Sequence, residues 1–444
     1  MVDLHGAVVV SIFVSLAYLA VGAARTVVAA VRRGGRRDDP ADDSRTLSTS
    51  RFTVPVSIIV PLGRNAGADA ADATIAALLG LNYPEFEVIV VAHGAGDALW
   101  ASLKRAWDLE AKEFFYRQSL ATTAVNKIYR SARDARLMIV DKAPAGRTDA
   151  VNCGVNLARF RYICAIDTGI EFDADALLRA MAAPMRDPAA VVAASSHLET
   201  RPRDAARNGR GMTLSGALQH LASVRALMDS RLVWRTMDAT LCPYDAVVAW
   251  RRDAVVQVGG FSTLAADPDL DMMVRLQTAV VPRIDGGVVR STEIFGRVEP
   301  RLLAAHTQLT ARRQCATLQT VWACRPRGPA GWRMLAHFVL SEVVTPFVQA
   351  WLVAALAVGA VAGWFSWGQV GLLVLLLSFA RAMVNGAALL VRGSGADAPD
   401  EGTLRQLLLA APLDFVASGA ASVFGRVAGI GAFLKSAWGM GAAS

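Results

Sequence analysis

Short apolar runs alternate with stretches of helical period across residues 54–186. The runs fall at residues 56–62, 86–91, 137–140 and 162–166, each the length of a buried strand. Around them, residues 69–81, 98–109, 148–158 and 174–181 repeat apolar side chains at helical spacing. Residues 189–194 supply one more apolar run, a further strand. This alternation predicts an α/β domain, Rossmann-like, with a mostly parallel sheet and helices on both faces. Residues 110–134 break the rhythm and are read as an insertion over one sheet edge or on a membrane surface.

A different pattern flanks this domain. Residues 6–24 carry no charge, enough for one bilayer crossing of ~20 residues. They lack a small-residue cleavage pattern, so they read as a retained anchor. Arg32, Arg33, Arg36 and Arg37 follow, which puts that side in the cytoplasm. Residues 343–380 are also uncharged, and GWFSWG at 363–368 divides them into two crossings with a tight aromatic turn. Residues 391–405 read as a polar loop. Residues 407–424 are apolar but hold Pro412 and Asp414, which leaves a third crossing open. Residues 425–440, with Arg426 and Lys435, suit an interfacial amphipathic helix. The expected organisation is an anchor over 1–31, a polar linker over 32–51, a cytoplasmic domain over 52–330, and a membrane region over 331–444 with two or three transmembrane helices. That describes a multi-pass protein of the inner (plasma) membrane.

Composition narrows the function classes. The 444 residues are 54% hydrophobic with a mean hydropathy of +0.36, too apolar for an ordinary soluble protein. The net charge of +8 comes mostly from scattered arginines, without a recognition helix or a basic-aromatic platform. Nucleic acid is therefore excluded as a partner, and attraction to anionic lipid is the simpler account. Cys153, Cys164, Cys242, Cys315 and Cys324 form no CxxC pair, which argues for a reducing compartment and against a disulfide framework or zinc site. Without paired charges in the apolar blocks, a transport pathway is disfavoured. No Ser-His-Asp arrangement or Walker-type phosphate loop is visible.

The candidate chemistry lies at strand ends. Asp167 closes the apolar run 163–166, at the edge where open α/β sheets bind ligands. Asp173-Ala174-Asp175 reads as a helix start, with Asp173 as its N-cap and Asp175 facing the helix dipole. Arg147, Asp149 and Asn152 in AGRTDAVNCG also open a helix. Val258-Gly259-Gly260-Phe261 forms a turn ahead of Pro268-Asp269-Leu270-Asp271-Met272, where Asp269 could equally cap a helix.

In their order, PVSIIVPLGRNA (55–66), the strand ending at His93, GRTDAVN, AIDTG, GGF and DLDMMVRL resemble membrane-bound family 2 glycosyltransferases, over roughly residues 50–330. The resemblance implies a GT-A fold flanked by transmembrane helices. It implies that His93, Arg147, Asp149 and Asp167 bind a nucleotide-sugar, most naturally UDP-linked. Asp167 also stands at the metal position for Mg2+ or Mn2+, with Gly169 where a second acid is expected. Arg147 replaces a lysine and His93 an aspartate that meets the base. Asp269 takes the place of the catalytic base, and Arg312 is what remains of the acceptor-side motif. The implied reaction is transfer of a sugar, with inversion, to a lipid or glycan acceptor at the cytoplasmic membrane face. The replaced motif residues support a second implication, a catalytically inactive relative acting as a scaffold or regulatory partner of a companion glycosyltransferase.

Overall fold

The computed structural model describes residues 4–34, 53–200, 212–237, 246–280, 287–323, 332, 336, 339–392 and 401–441. The expected linker lies outside the described residues from position 35 onward, as do Arg36, Arg37, Cys242 and Cys324. Two compact units emerge. One comprises Asp38–Glu199 and Thr240–Val298, the other Met1–Arg37, Thr200–Ala239 and Glu299–Ser444. The Leu214–Met237 and Leu303–Ala323 helices, inside the 52–330 span expected from sequence, group with the second unit.

The first unit is built on a ten-stranded sheet. Its strands are β1 (Val56–Leu62), β2 (Phe86–His93), β3 (Leu109–Ala111), β4 (Val125–Ser131), β5 (Leu137–Lys142), β6 (Tyr162–Ala165), β7 (Glu171–Phe172), β8 (Val191–Thr200), β9 (Ala246–Arg251) and β10 (Gly287–Val298). They lie in the order β3-β4-β5-β2-β1-β6-β9-β8-β10-β7. The centre is parallel, where β5, β2, β1 and β6 pair in that order. β3–β4, β4–β5, β6–β9, β8–β9 and β7–β10 are antiparallel. The expectation of a mostly parallel sheet is thus corrected to a mixed one. Antiparallel neighbours need no helical crossover, so the strand–helix rhythm that betrays a parallel sheet is missing at both flanks. The expected insertion at 110–134 supplies one of those flanks, because β3 and β4 extend the sheet beyond β5.

β1 is buried along its whole length and β2 up to His93, as strands covered on both faces must be. On one face Ile58, Val60, Val88 and Val90 join Ile75, Leu78, Leu103, Leu177 and Met181 of three helices. Each such side chain contributes about 1.5–3 kcal/mol by leaving water. On the other face lies the Arg147–Leu157 helix, and its Gly154 meets Ile59 so closely that a Cβ would collide with the isoleucine side chain. Glycine at this position is a packing requirement.

The Asp173-Ala174-Asp175 expectation is corrected in detail. The helix begins at Ala176, and Asp175 stands at its cap, its carbonyl accepting from the Arg179 amide at 3.1 Å while its side chain receives no helix N–H. Asp175 instead accepts from Asn82 Nδ2 at 2.8 Å. Asp173 accepts from Arg179 at 3.1 Å and from Arg297 at 3.2 Å, tying the helix to β10.

Among the described residues of the second unit, two helices are long and apolar enough to cross a membrane, His5–Ala24 and Trp367–Leu389. Val10, Phe13, Leu375 and Phe379 point outward from them, the reverse of a water-soluble surface. Thr345–Val361 is a shorter apolar helix of 17 residues, joined to the next by a turn at Gly363, φ +71°. The polar stretch 391–405 gives way to helix at Glu401, with 393–400 outside the described residues. The region around Pro412 is a bent pair, Glu401–Ala417 and Ala421–Ser436, meeting at 41°. Within the first of this pair Asp414 is fully buried and its Oδ2 accepts from Arg225, from Arg381 Nε at 3.1 Å and from Asn385 Nδ2 at 3.2 Å. Paired charges are therefore present in the apolar region, contrary to expectation, because their partners lie far apart in sequence. The Asp414–Gly441 helix, which takes in the 425–440 stretch expected as an interfacial helix, packs on the Leu303–Ala323 helix through Gly425, where a Cβ would stand 2.9 Å from the Thr307 carbonyl oxygen.

Candidate active site

Four parallel strands of the first unit end at one edge, and the candidate residues gather there. His93 ends β2 with its ring against the backbone after β1: a Cβ on Gly63 would lie 3.5 Å from Cε1 and Nε2. Burial lowers the His93 pKa, neighbouring Lys142 lowers it further, and Asp149 opposes both. His93 is therefore a neutral imidazole at physiological pH, with one nitrogen to donate and one to accept.

The Arg147–Leu157 helix is the organising element. Asp149, Asn152 and Asn156 line one side of it, at helical spacing. Asp149 is buried and pairs with Lys142, whose side chain has no exposure. It also accepts from the Thr123 amide at 3.1 Å and the Thr123 hydroxyl at 2.9 Å. Asp149, expected among the nucleotide-sugar ligands, thus has both carboxylate oxygens bonded to Lys142 and Thr123. Asn156 accepts from the amides of Ser119 and Leu120 at 3.0 and 2.9 Å and donates to the Leu120 carbonyl. Asn152 donates to the Phe261 carbonyl at 2.8 Å and accepts from its amide at 2.9 Å. One helix side thus holds the 119–123 segment, the end of β5 and the Gly-Gly-Phe turn.

That turn is fixed from its other side as well. Gly259 and Gly260 take φ of +85° and +77°, values that favour glycine. Arg275 donates to the carbonyls of Val258 and Gly260, each at 2.8 Å, while Asp271 orients it. The Pro268–Ala279 helix then starts on a proline, with Asp267 as its cap, accepting from the Leu270 amide at 3.0 Å. The capping role open to Asp269 on sequence grounds therefore belongs to Asp267.

Asp269 faces Arg147. The Arg147 guanidinium donates through Nε to Asp167 at 2.8 Å and lies 3.9 Å from Asp269 through Nη1. Three residues from separate segments, 147, 167 and 269, thereby form one charged cluster. Burial pushes the Asp269 carboxyl up to about 6; Arg147 pulls it down, and repulsion from Asp267 and Asp167 adds to the rise. Burial disfavours the charge on Arg147, but Asp167 and Asp269 outweigh that and hold it above its ordinary value. A base poised near neutral beside a fixed cation is a chemically competent arrangement.

The cluster does not fit a protein-held divalent ion. Hard cations need several oxygen donors. Here Asp167 is already bonded to a guanidinium, Asp269 faces that same guanidinium, Gly169 has no side chain, and Asp149 and Asp267 are engaged elsewhere. Among the described residues no three His, Cys, Asp or Glu side chains gather as a metal would require. Arg312, the expected acceptor-side residue, is exposed on the Leu303–Ala323 helix of the second unit. Thr123 and Asn156 escape a reading of the sequence alone, and Lys142 and Arg275 stand in its motifs without their roles being legible there. Lys142 leaves one trace there, a charge that closes the apolar run of its strand directly after Asp141.

No protein-family model matches the sequence, and no curated protein matches it. Among solved structures, the mannosyltransferase PcManGT from Pyrobaculum calidifontis, in complex with GDP-Man and Mn2+, is similar over 91% of this chain and 98% of its own, with 18% identity and a TM-score of 0.54. S. aureus TarS 1–349 covers 77% of this chain and 91% of its own, with 13% identity and a TM-score of 0.38. The same fragment with UDP-GlcNAc gives 14% identity and a TM-score of 0.39. The likeness to the mannosyltransferase is one of fold.

Proposed function

We propose that this protein is a membrane-integrated glycosyltransferase of GT-A type, transferring a sugar from a nucleotide-sugar to a lipid or glycan acceptor at the cytoplasmic membrane face. The observation that carries this reading is the convergence of Asp167, Arg147 and Asp269 at the carboxyl ends of the parallel strands. The fold shared with a mannosyltransferase that binds GDP-Man supports it, and so do the two helices apolar enough to anchor the chain.

In this reading the donor, UDP-linked by the sequence resemblance, lies with its base toward His93 and its diphosphate toward Arg147. Asp269 removes the proton from the acceptor hydroxyl as that oxygen attacks the anomeric carbon. The bond from that carbon to the diphosphate oxygen breaks on the opposite face, so the nucleoside diphosphate leaves and the configuration inverts. The Asp269 pKa near 6 leaves it ionised, yet basic enough to accept a proton, at neutral pH.

Titration of the full-length protein in nanodiscs with UDP, GDP and their sugar conjugates tests donor binding, followed by transfer of a labelled sugar to membrane lipid. Absence of binding at millimolar concentration sinks the reading. Binding without transfer is the signature of the inactive scaffold, a reading favoured by one observation, the engagement of Asp167 by Arg147.

A further inference from the structure

We propose that Arg147 serves this site in place of a divalent cation, neutralising the donor diphosphate with a guanidinium seated on Asp167. The inference rests on the nucleotide-sugar reading above and adds to it the way the diphosphate is held.

The argument is one of donors and charge. Two carboxylates around a dication form a neutral unit that can still accept phosphate oxygens. One carboxylate bonded to one guanidinium is neutral as well, and Asp167 with Arg147 at 2.8 Å is such a unit. The missing second acid and the added fork of donors therefore compensate each other. Gly169, where that acid is expected, has a φ of +86°, a backbone setting that L side chains rarely adopt. The turn is shaped for glycine, and a carboxylate there would be strained.

Arg147 also has the reach. A guanidinium carries five N–H donors in a planar fork, and Asp167 uses the one on Nε. Nη1 stands 3.9 Å from Asp269, beyond hydrogen-bond distance, so the terminal nitrogens can meet two phosphate oxygens side by side. Arg147 is the first residue of an 11-residue helix whose cap, Gly146 at φ +89°, brings no side chain to the leading amides. Those amides add partial positive charge at the same point. Of the other acids, Asp149 is held by Lys142 and Thr123 and Asp267 by the Leu270 amide, while Asp269 faces the same guanidinium.

Calorimetric titration of the full-length protein in nanodiscs with UDP and GDP, in EDTA and then in Mn2+, separates the two ways of holding a diphosphate. The expected result is an affinity in EDTA within about threefold of that in Mn2+, since the charge is supplied by the protein. Arg147→Ala should weaken binding by at least about tenfold in both buffers, the loss of a charge-assisted bidentate contact, with Arg147→Lys in between. Thermal melting of each variant separates lost binding from lost folding; if Arg147→Ala does not fold, Arg147→Lys carries the comparison. Binding that requires Mn2+, or an Arg147 variant that binds as the parent does, overturns the inference while leaving the donor reading intact. No binding of either nucleotide in either buffer overturns the donor reading and this inference with it.

Discussion

Asn152 grips the backbone of Phe261 in both directions, donating to its carbonyl at 2.8 Å and accepting from its amide at 2.9 Å. The two residues are 109 positions apart. This link fixes the turn that leads to Asp269 relative to the helix that begins with Arg147. The geometry of the charged cluster therefore depends on a residue that belongs to neither end of it.

Asn152→Ala should leave two buried backbone groups without partners, at about 1–3 kcal/mol each. The expected outcome is a lowered melting temperature together with a drop in kcat, because Asp269 loses its register against Arg147. Melting curves and single-turnover transfer check this. A variant that melts lower but turns over normally would show that the turn does not set the position of the base.

Asp269 sets the pH dependence. It acts as a base only when ionised, and burial holds its pKa near 6. kcat/KM should therefore rise about tenfold per pH unit below 6 and level off above it. Asp269→Asn should remove that limb and cut transfer by about 10²–10⁴-fold with donor binding retained. The stability effect has the opposite sign. A carboxyl whose folded pKa is raised binds more protons folded than unfolded, so it costs stability as pH climbs from about 4 to 6. Asp269→Asn should accordingly melt no lower than the parent at neutral pH.

Lys142 and Asp149 make a buried pair, with side-chain exposures of 0% and 8%. Removing one partner strands the other, so Lys142→Met or Asp149→Asn alone should cost about 3–5 kcal/mol. The double variant should recover part of that loss, since the remaining groups carry no uncompensated charge. Chemical denaturation of the four proteins gives the coupling. Additive losses in the double variant would mean that the pair does not act as a unit.

In the second unit, Asp414 collects Arg225, Arg381 and Asn385 on one carboxylate oxygen just after the 3-10 turn Ala411–Leu413. Asp414→Asn should leave two arginines uncompensated and destabilise the protein in detergent far more than Asp414→Asn with Arg225→Met. Size-exclusion profiles after stepwise heating report the difference. Equal stability of the single variant and the parent would assign the network no structural role.

Much of the first unit was legible in the chain itself. β1 matches its apolar run at both ends, and Gly154 and the Gly259-Gly260 pair mark points where backbone must approach closely or turn left-handed. Such signals are local: a strand buried on both faces is apolar throughout, and only glycine suits a crowded or positive-φ position. β4, VNKIYRS, gave no such signal: it lies between the short edge strand β3 and β5, and a strand so largely open to solvent reads like a loop.

The sequence by itself therefore determined the elements, the apolar helices and the short set of residues able to do chemistry. Which of those residues meet was decided only by the tertiary structure. Asp149 and Asp167 look alike as strand- or helix-end acids, yet one is sealed against Lys142 and the other bonded to Arg147 at the open edge. Asp267 and Asp269 stand two positions apart, and helix geometry alone made one a cap and the other a free carboxylate facing the cluster. The physical reason is that charge and hydrogen bonding act over a few ångströms of space, while the partners are tens to hundreds of residues away along the chain. A motif names the acids, and only the packing of helix on sheet determines which of them still has work to do.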